Sequence, residues 1–393
     1  MMVCVMYVNN IEIYDNVYGG YGIGRLDNGK VVFVPFGVKG DIANIKIKEE
    51  KKSFSYGELI ELVKPSHHRV DGFCKYIGVC GGCSYGFLDD DFEIEVKRRI
   101  VENSFRNISD FKIDEYVHSN KRDYRVRCRM RLKWGGLFYK KFNSNELVSI
   151  DECPILKPSI LNKLKDVAGS YSDTDCDISI IENEKGEELI FLDSDIDITD
   201  SKYNIKSKRC QKGLKSIEFN INKHTIPAGY RSFFQTNRYL FESFQRKVVE
   251  QLKGYETVLE FYCGSGFFTI PLSKEVRKIV AIDQNDEALR LLKQQATGRA
   301  EVLNTDLKKD IINIKGRFDA VLVNPDRDGL SKGVLKVIMD KKPEIIVYVS
   351  CNPQTMSRDI KNFMNRYKMC QFTVVDQFYK TYHIESIAVL TER

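Results

Sequence analysis

A cysteine stands at position 351 in the stretch YVSCNPQTM, at the end of a β-branched run and directly before Asn352-Pro353. Residues 344–350 (EIIVYVS) form a short, almost continuous apolar run bounded by Pro343 and Pro353, which is the pattern of a buried strand. Ligands of an open parallel sheet bind beyond the carboxyl ends of its strands, so Cys351 stands where a substrate would, and its thiolate would be a nucleophile. A lone cysteine is more often a small inert hydrophobe, so the assignment needs other residues to converge on it. The segment VLEFYCGSGFFTI (258–270) runs from a strand into Gly264-x-Gly266 and then a helix, presenting backbone amides to a ligand. Asp283 ends the next apolar run, nineteen residues after Gly264, where a carboxylate can accept from ribose hydroxyls. The dinucleotide fingerprint needs a third glycine where this chain has Thr269, so a nucleoside without phosphates, S-adenosylmethionine above all, fits better than a pyrophosphate. Asp306 in NTDL and Asn324-Pro325 after the fourth strand continue the series.

A second constellation is made of sulfur alone. Cys74, Cys80 and Cys83 follow the spacing C-x5-C-x2-C with CGGC at its core, and Cys153 lies in DECPIL. Four thiolates suit a structural zinc or an iron–sulfur cluster. A zinc ribbon brings two C-x2-C knuckles; the wide first gap and the single last cysteine before proline point to a [4Fe-4S] cluster instead.

The elements that must position these groups fall into three textures. Residues 1–66 alternate short strands with glycine turns, including the hairpin signal Asp27-Asn28-Gly29, and predict a small five-stranded barrel of the oligonucleotide-binding kind. Residues 67–225 bring the cysteines, an amphipathic helix in FEIEVKRRIVENSFRNI and a β-rich central domain with hairpin turns at Gly135-Gly136 and Glu184-Lys185-Gly186. Residues 226–393 alternate strand and helix regularly, predicting a Rossmann-like, doubly wound α/β sheet.

The chain has 393 residues, with 61 Lys and Arg against 55 Asp and Glu, a formal charge of +6 that permits nucleic-acid binding without requiring it. Its eleven cysteines are an odd number in a long chain, which argues for metal binding or catalysis over a disulfide scaffold. No apolar stretch approaches a membrane span and the first residues lack the basic and small-residue features of a signal peptide, so a cytoplasmic protein without membrane contact is expected.

Taken in order, these motifs resemble the RNA uracil-5-methyltransferase family over essentially the whole length. GGYGIGRLDNGKVVFVPFGVKGD is similar to its N-terminal TRAM barrel, CKYIGVCGGC with DECPIL to its iron–sulfur motif, and SFFQTN to its cofactor-contacting segment. EFYCGSGFFTIPLS, VNPDRDGL, VYVSCNP and HIESIAVL follow in the family's order. The resemblance implies that Cys351 adds to C6 of a uracil, because C5 is too weak a nucleophile until that addition makes an enolate. It implies that Glu385 removes the C5 proton afterwards; by itself Glu385 reads as a solvated residue at the start of a strand. It further implies S-adenosylmethionine contacts for Gln235, Tyr262, Gly264, Gly266, Asp283 and Asn324, a uracil- or phosphate-placing role for Arg327, and an RNA substrate whose target uridine is flipped from its stack.

Two departures stand out. The family's Asp-Pro-Pro-Arg is Asn324-Pro325-Asp326-Arg327 here, and Phe267 replaces a small or polar residue and receives no ligand role. The cationic run YRVRCRMRLKW is read as an RNA contact, against the alternative of a strand with one solvated basic face. Together the barrel and the cysteine cluster favour 23S ribosomal RNA over tRNA as substrate, and a monomer is expected. An RNA base N-methyltransferase needs no thiol and places an aromatic residue where Arg327 stands; a non-catalytic RNA-binding protein would have no use for Cys351, Glu385 and Gln235 together.

Overall fold

The computed structural model describes residues 6–198, 202–209, 216–309 and 313–393, so the first five residues, read above for a targeting signal, lie outside it. The chain separates into two compact units: residues 1–103, 139–152 and 378–383 form one, and residues 104–138, 153–377 and 384–393 form the other.

The first unit is built on a closed barrel in the order β1-β2-β3-β5-β4, with β1 (Tyr7–Val17), β2 (Tyr21–Arg25), β3 (Val31–Pro35), β4 (Ile42–Glu50) and β5 (Phe54–Lys64). Alternation supplies its interior: Ile11, Ile13, Val32, Val34, Ala43 and Ile45 turn inward and are almost fully buried. The predicted hairpin forms, with Gly29 at φ +81°. Helix α1 (Asp90–Phe105) buries Phe92, Val96 and Ile100. Within this unit the buried Lys380 ammonium donates to the Leu88 carbonyl at 2.6 Å and pairs with Asp90 (2.6 Å) and Glu93 (3.3 Å).

The second unit contains β6 (Glu115–His118), β7 (Arg127–Lys133) and β8 (Gly136–Lys140), which crosses into the first unit at its end; β9 (Leu147–Ser149) belongs to the first. Helix α2 (Pro158–Ser170), β10 (Cys176–Glu182), β11 (Glu188–Leu192), β12 (Ile205–Ser207) and the hairpin β13 (Ile217–Ile221) and β14 (His224–Ala228) complete the β-rich part. There β7 pairs antiparallel with β8 and β10, and β10 with β11. Trp134 and Gly135 both take positive φ in the turn between β7 and β8.

The strand and helix alternation follows as α3 (Phe241–Leu252), β15 (Thr257–Phe261), α4 (Thr269–Glu275), β16 (Lys278–Asp283), α5 (Asp286–Gln295), β17 (Ala300–Asn304), β18 (Ala320–Val323), α6 (Lys332–Lys341), β19 (Ile345–Ser350), α7 (Pro353–Ile360), β20 (Tyr367–Asp376) and β21 (Glu385–Glu392). Its eight-stranded sheet has the order β17-β16-β15-β18-β19-β21-β20-β6. Strands β17 to β19 are parallel, as the strand and helix alternation predicts. The sheet is nonetheless mixed, because β21 slots antiparallel between β19 and β20, and β6, from the segment read as central domain, adds to the edge beside β20. Strand order reverses between β15 and β18, which opens a crevice at their carboxyl ends. Among the described residues no helix is long and apolar enough to cross a membrane.

Candidate active site

In the second unit the glycine turn, Asp283, Asn324 and Cys351 stand at or just after the carboxyl ends of neighbouring strands of the large sheet. The glycine turn between β15 and α4 is strained by design. Tyr262 sits at φ +62°, Gly264 at +55° and Gly266 at +94°. A Cβ on Gly266 would stand 2.5 Å from Leu292 Cδ1, so only glycine lets this turn close against α5. Asp283, the last residue of β16, fixes the turn from the other side: its Oδ2 accepts from Gly264 N at 2.9 Å, and its Oδ1 from Gln284 N (2.7 Å) and Asn285 N (2.9 Å). The carboxylate thus ties the glycine turn to the loop after β16, and Oδ2, with one bond made, keeps a lone pair for a further donor. Asn324 follows β18 across the crevice. Asp306, also singled out by the sequence, is exposed and caps its own turn through Lys308 N at 3.0 Å.

Gln235 is buried, and its Oε1 accepts from Nε2 of the buried Gln377 at 3.3 Å. The Gln377 carbonyl in turn accepts from Asn237 Nδ2 at 3.1 Å. Phe267 packs among Phe234, Phe241, Phe244 and Phe268.

Cys351 is the first residue after β19 and is half-buried. Burial, and then the charge of Glu385, push its thiol up to about 12, while the Arg327 guanidinium counters through its charge and a hydrogen bond. Glu385 opens β21, where register with Val375 on β20 and of Ser386 with Ser350 on β19 sets it beside the end of the thiol-bearing strand. Buried on all sides, its carboxyl is raised to about 8, and its Oε1 has no hydrogen-bond partner. A thiol, a guanidinium and a carboxyl held neutral at pH 7 therefore stand together at the end of β19.

The loop carrying Arg327 is held by the segment that follows Cys351. The Arg327 carbonyl accepts from Asn352 Nδ2 (3.0 Å) and Thr355 Oγ1 (3.2 Å), and the buried Asp359 accepts from Leu330 N (2.7 Å) and Tyr348 Oη (2.7 Å). Sequence reasoning passed over Asp359. It also passed over Glu260, a buried acid inside β15 that accepts from Thr269 Oγ1 at 2.7 Å and is raised to about 8 by burial. A lone glutamate within the apolar run VLEFY was its available signal.

The cysteine constellation is not gathered in the same way. Cys74, Cys80 and Cys83 are partly buried in the first unit, Cys80 Sγ accepting from Gly82 N at 3.4 Å, and Cys153 belongs to the second. Among the described residues no group of three or more His, Cys, Asp or Glu is arranged to hold a metal ion.

Comparison with known proteins bears on both halves. Residues 8–60 match the TRAM domain, and residues 294–393 match the family described as tRNA (Uracil-5-)-methyltransferase. An uncharacterized RNA methyltransferase of Aquifex aeolicus is 30% identical, over 95% of this chain and 96% of that protein. The 23S rRNA (uracil(1939)-C(5))-methyltransferase RlmD of Acinetobacter baylyi is 28% identical, over 92% of this chain and 89% of its own. Among solved structures, the Pyrococcus abyssi tRNA (uracil-54, C5)-methyltransferase in complex with S-adenosyl-L-homocysteine superposes with a TM-score of 0.75 at 25% identity, over 98% of this chain and 100% of that one.

Proposed function

Starting from its membership of the S-adenosylmethionine-dependent RNA uracil-5-methyltransferase family, we propose that this chain methylates C5 of a flipped uridine through a covalent Cys351 adduct. The observation that carries the reading is the convergence of Cys351, Arg327 and Glu385 at the sheet edge, beside the glycine turn. Bound at that turn through Tyr262, Gly264, Gly266, Asp283, Asn324 and Gln235, S-adenosylmethionine supplies an electrophilic methyl group.

The residues of the chain do the rest. The Cys351 thiol gives its proton to solvent water, with the Arg327 cation favouring the thiolate, and Sγ bonds to C6 of the base. The C5–C6 pair moves toward O4 as an enolate, C5 takes the methyl, and the sulfonium bond breaks with its electrons on the departing sulfur. C5 then carries both a methyl and a proton. The Glu385 carboxylate takes that proton, the pair re-forms C5=C6, and Sγ leaves C6 as a thiolate. Burial suits Glu385 to this order: a carboxyl raised to about 8 is a stronger base, once ionised, than an exposed one.

For the substrate, ribosomal RNA is the primary reading, on the barrel and cysteine motifs and the likeness to the 23S enzyme. A tRNA substrate is the second reading, favoured by the likeness to the Pyrococcus tRNA enzyme. The [4Fe-4S] assignment rests on cysteine spacing and on the resemblance to the family's iron–sulfur motif; thiolate sites are organised by their metal, so it is tested by iron analysis and carries no step of the chemistry. Mapping 5-methyluridine in ribosomal and transfer RNA from cells with and without the gene tests the function: one uridine should lose its methyl group. Unchanged maps in both RNAs, with no methyl transfer by the purified protein, would end the proposal.

A further inference from the structure

Strand β7 carries Arg127, Arg129, Arg131 and Lys133 on the face opposite the buried Cys128, Met130 and Leu132. These four cations do not share one environment. Arg131 pairs with Asp175 (2.6 Å) and Asp177 (3.3 Å), Lys133 with Asp175 (2.9 Å), and Arg129 with Asp177 (2.6 Å) and, more distantly, Asp193 (3.6 Å). Cross-strand acids thus neutralise the carboxyl-terminal end of the run, and that part behaves as a solvated, paired face.

The amino-terminal end differs. Arg127 makes no ion pair among the described residues; its guanidinium donates to the Ser232 carbonyl, and burial pulls its pKa below the usual arginine range. Arg231 makes none either, and its guanidinium lies 4.6 Å from the centre of the Phe191 ring. Two acids reach them by charge alone: Glu287, which also accepts from Arg231 N at 2.7 Å, acts on Arg127, and Asp193 interacts with Arg231. A cavity of about 470 Å³ opens at this point, with Arg125, Arg127, Arg129 and Arg231 in its wall against two carboxylates, Asp177 and Asp193.

Desolvation of the partly buried Arg127 guanidinium outweighs the charge that Glu287 brings to it, and an acceptor-only anion relieves that cost. Arginine's planar fork matches phosphate, and phosphodiesters are the anions an RNA substrate brings. We propose that this pocket holds a backbone phosphate of the substrate RNA near the target uridine. The proposal rests on the RNA reading above. Its position gives it a consequence, since Ser232, held by Arg127, lies three residues before Gln235 on one continuous segment. A phosphate seated there would fix the chain that reaches the catalytic crevice.

The test uses the full-length protein with RNA extracted from cells lacking the gene, and S-adenosylhomocysteine titrated by calorimetry. Arg231→Gln and Arg127→Gln should each weaken RNA binding about fivefold at physiological salt and lower the salt slope by about 0.7, as loss of one single-strand phosphate contact predicts. S-adenosylhomocysteine affinity should not change. Arg131→Gln should leave RNA affinity and salt slope unchanged, because its charge is already neutralised. If Arg127→Gln does not fold, Arg231→Gln and Arg231→Glu carry the test, the reversal weakening binding further. Equal weakening by Arg131→Gln would mean a diffuse basic face and overturn the pocket. Lost S-adenosylhomocysteine binding with intact RNA binding would assign the pocket to the cofactor and overturn it too. Failure of the wild type to bind RNA would instead strike the function itself.

Discussion

At Cys351 burial keeps the thiol protonated at neutral pH, the Arg327 guanidinium works the other way, and Glu385 adds its charge only as pH rises past about 8. Arg327→Met should therefore slow alkylation of Cys351 by iodoacetamide at pH 8 by about tenfold, the equivalent of one pKa unit; an unchanged rate would remove Arg327 from the site. As the proposed base, Glu385 would set the pH dependence of the later step. Its raised carboxyl is protonated below about 8 and becomes a base as pH rises through that value, so adduct breakdown should accelerate about tenfold per pH unit below 8 and level off above it. Rapid-quench measurement of adduct decay from pH 6 to 9 gives the profile, and a flat one would remove Glu385 as the base. These two residues were unequally legible. Cys351 announces itself by standing between an apolar run and Asn-Pro. Nothing local to HIESIAVL shows that Glu385 is buried, because that burial comes from β21 entering between β19 and β20, a pairing made across the chain.

Elements whose signals were local were read well: the barrel hairpin, the three turns with glycine at positive φ and the regular strand and helix alternation all follow from neighbouring residues. Helix α2 was read as part of a β-rich stretch, although Ile160, Leu161, Leu164, Val167 and Ala168 repeat at helical spacing behind Pro158. The insertion of β21 and the added β6 could not be read, since the register of a distant strand has no sequence mark of its own. The glycine turn gives the sharpest test at this scale. Gly266→Ala asks for a Cβ at φ +94° against Leu292 and should cost about 1–3 kcal/mol of stability, seen in denaturant unfolding. Asp283→Ala removes three backbone hydrogen bonds from the ligand-facing loops and should weaken S-adenosylmethionine binding by about tenfold or more, with RNA binding retained. Loss of RNA affinity instead would place Asp283 outside the cofactor site.

For the whole molecule, one chain combines a small barrel with a methyltransferase sheet, and the order of motifs along the sequence made that combination legible before any contact was known. The cysteine spacing makes a separate statement about the intact protein: purified without oxygen, it should hold about four iron and four sulfide per chain. Stoichiometric zinc without labile sulfide would replace that reading. The central claim, that methylation passes through a bond between Cys351 and the base, is tested most directly with RNA carrying 5-fluorouridine at the mapped target. Fluorine cannot leave C5 as a cation, so wild-type protein with S-adenosylmethionine should form a complex that survives denaturing electrophoresis, and mass spectrometry should find the methylated nucleotide on the Cys351 peptide. Active wild-type enzyme that gives no such complex, or a Cys351→Ala variant that still methylates RNA, would contradict the covalent mechanism.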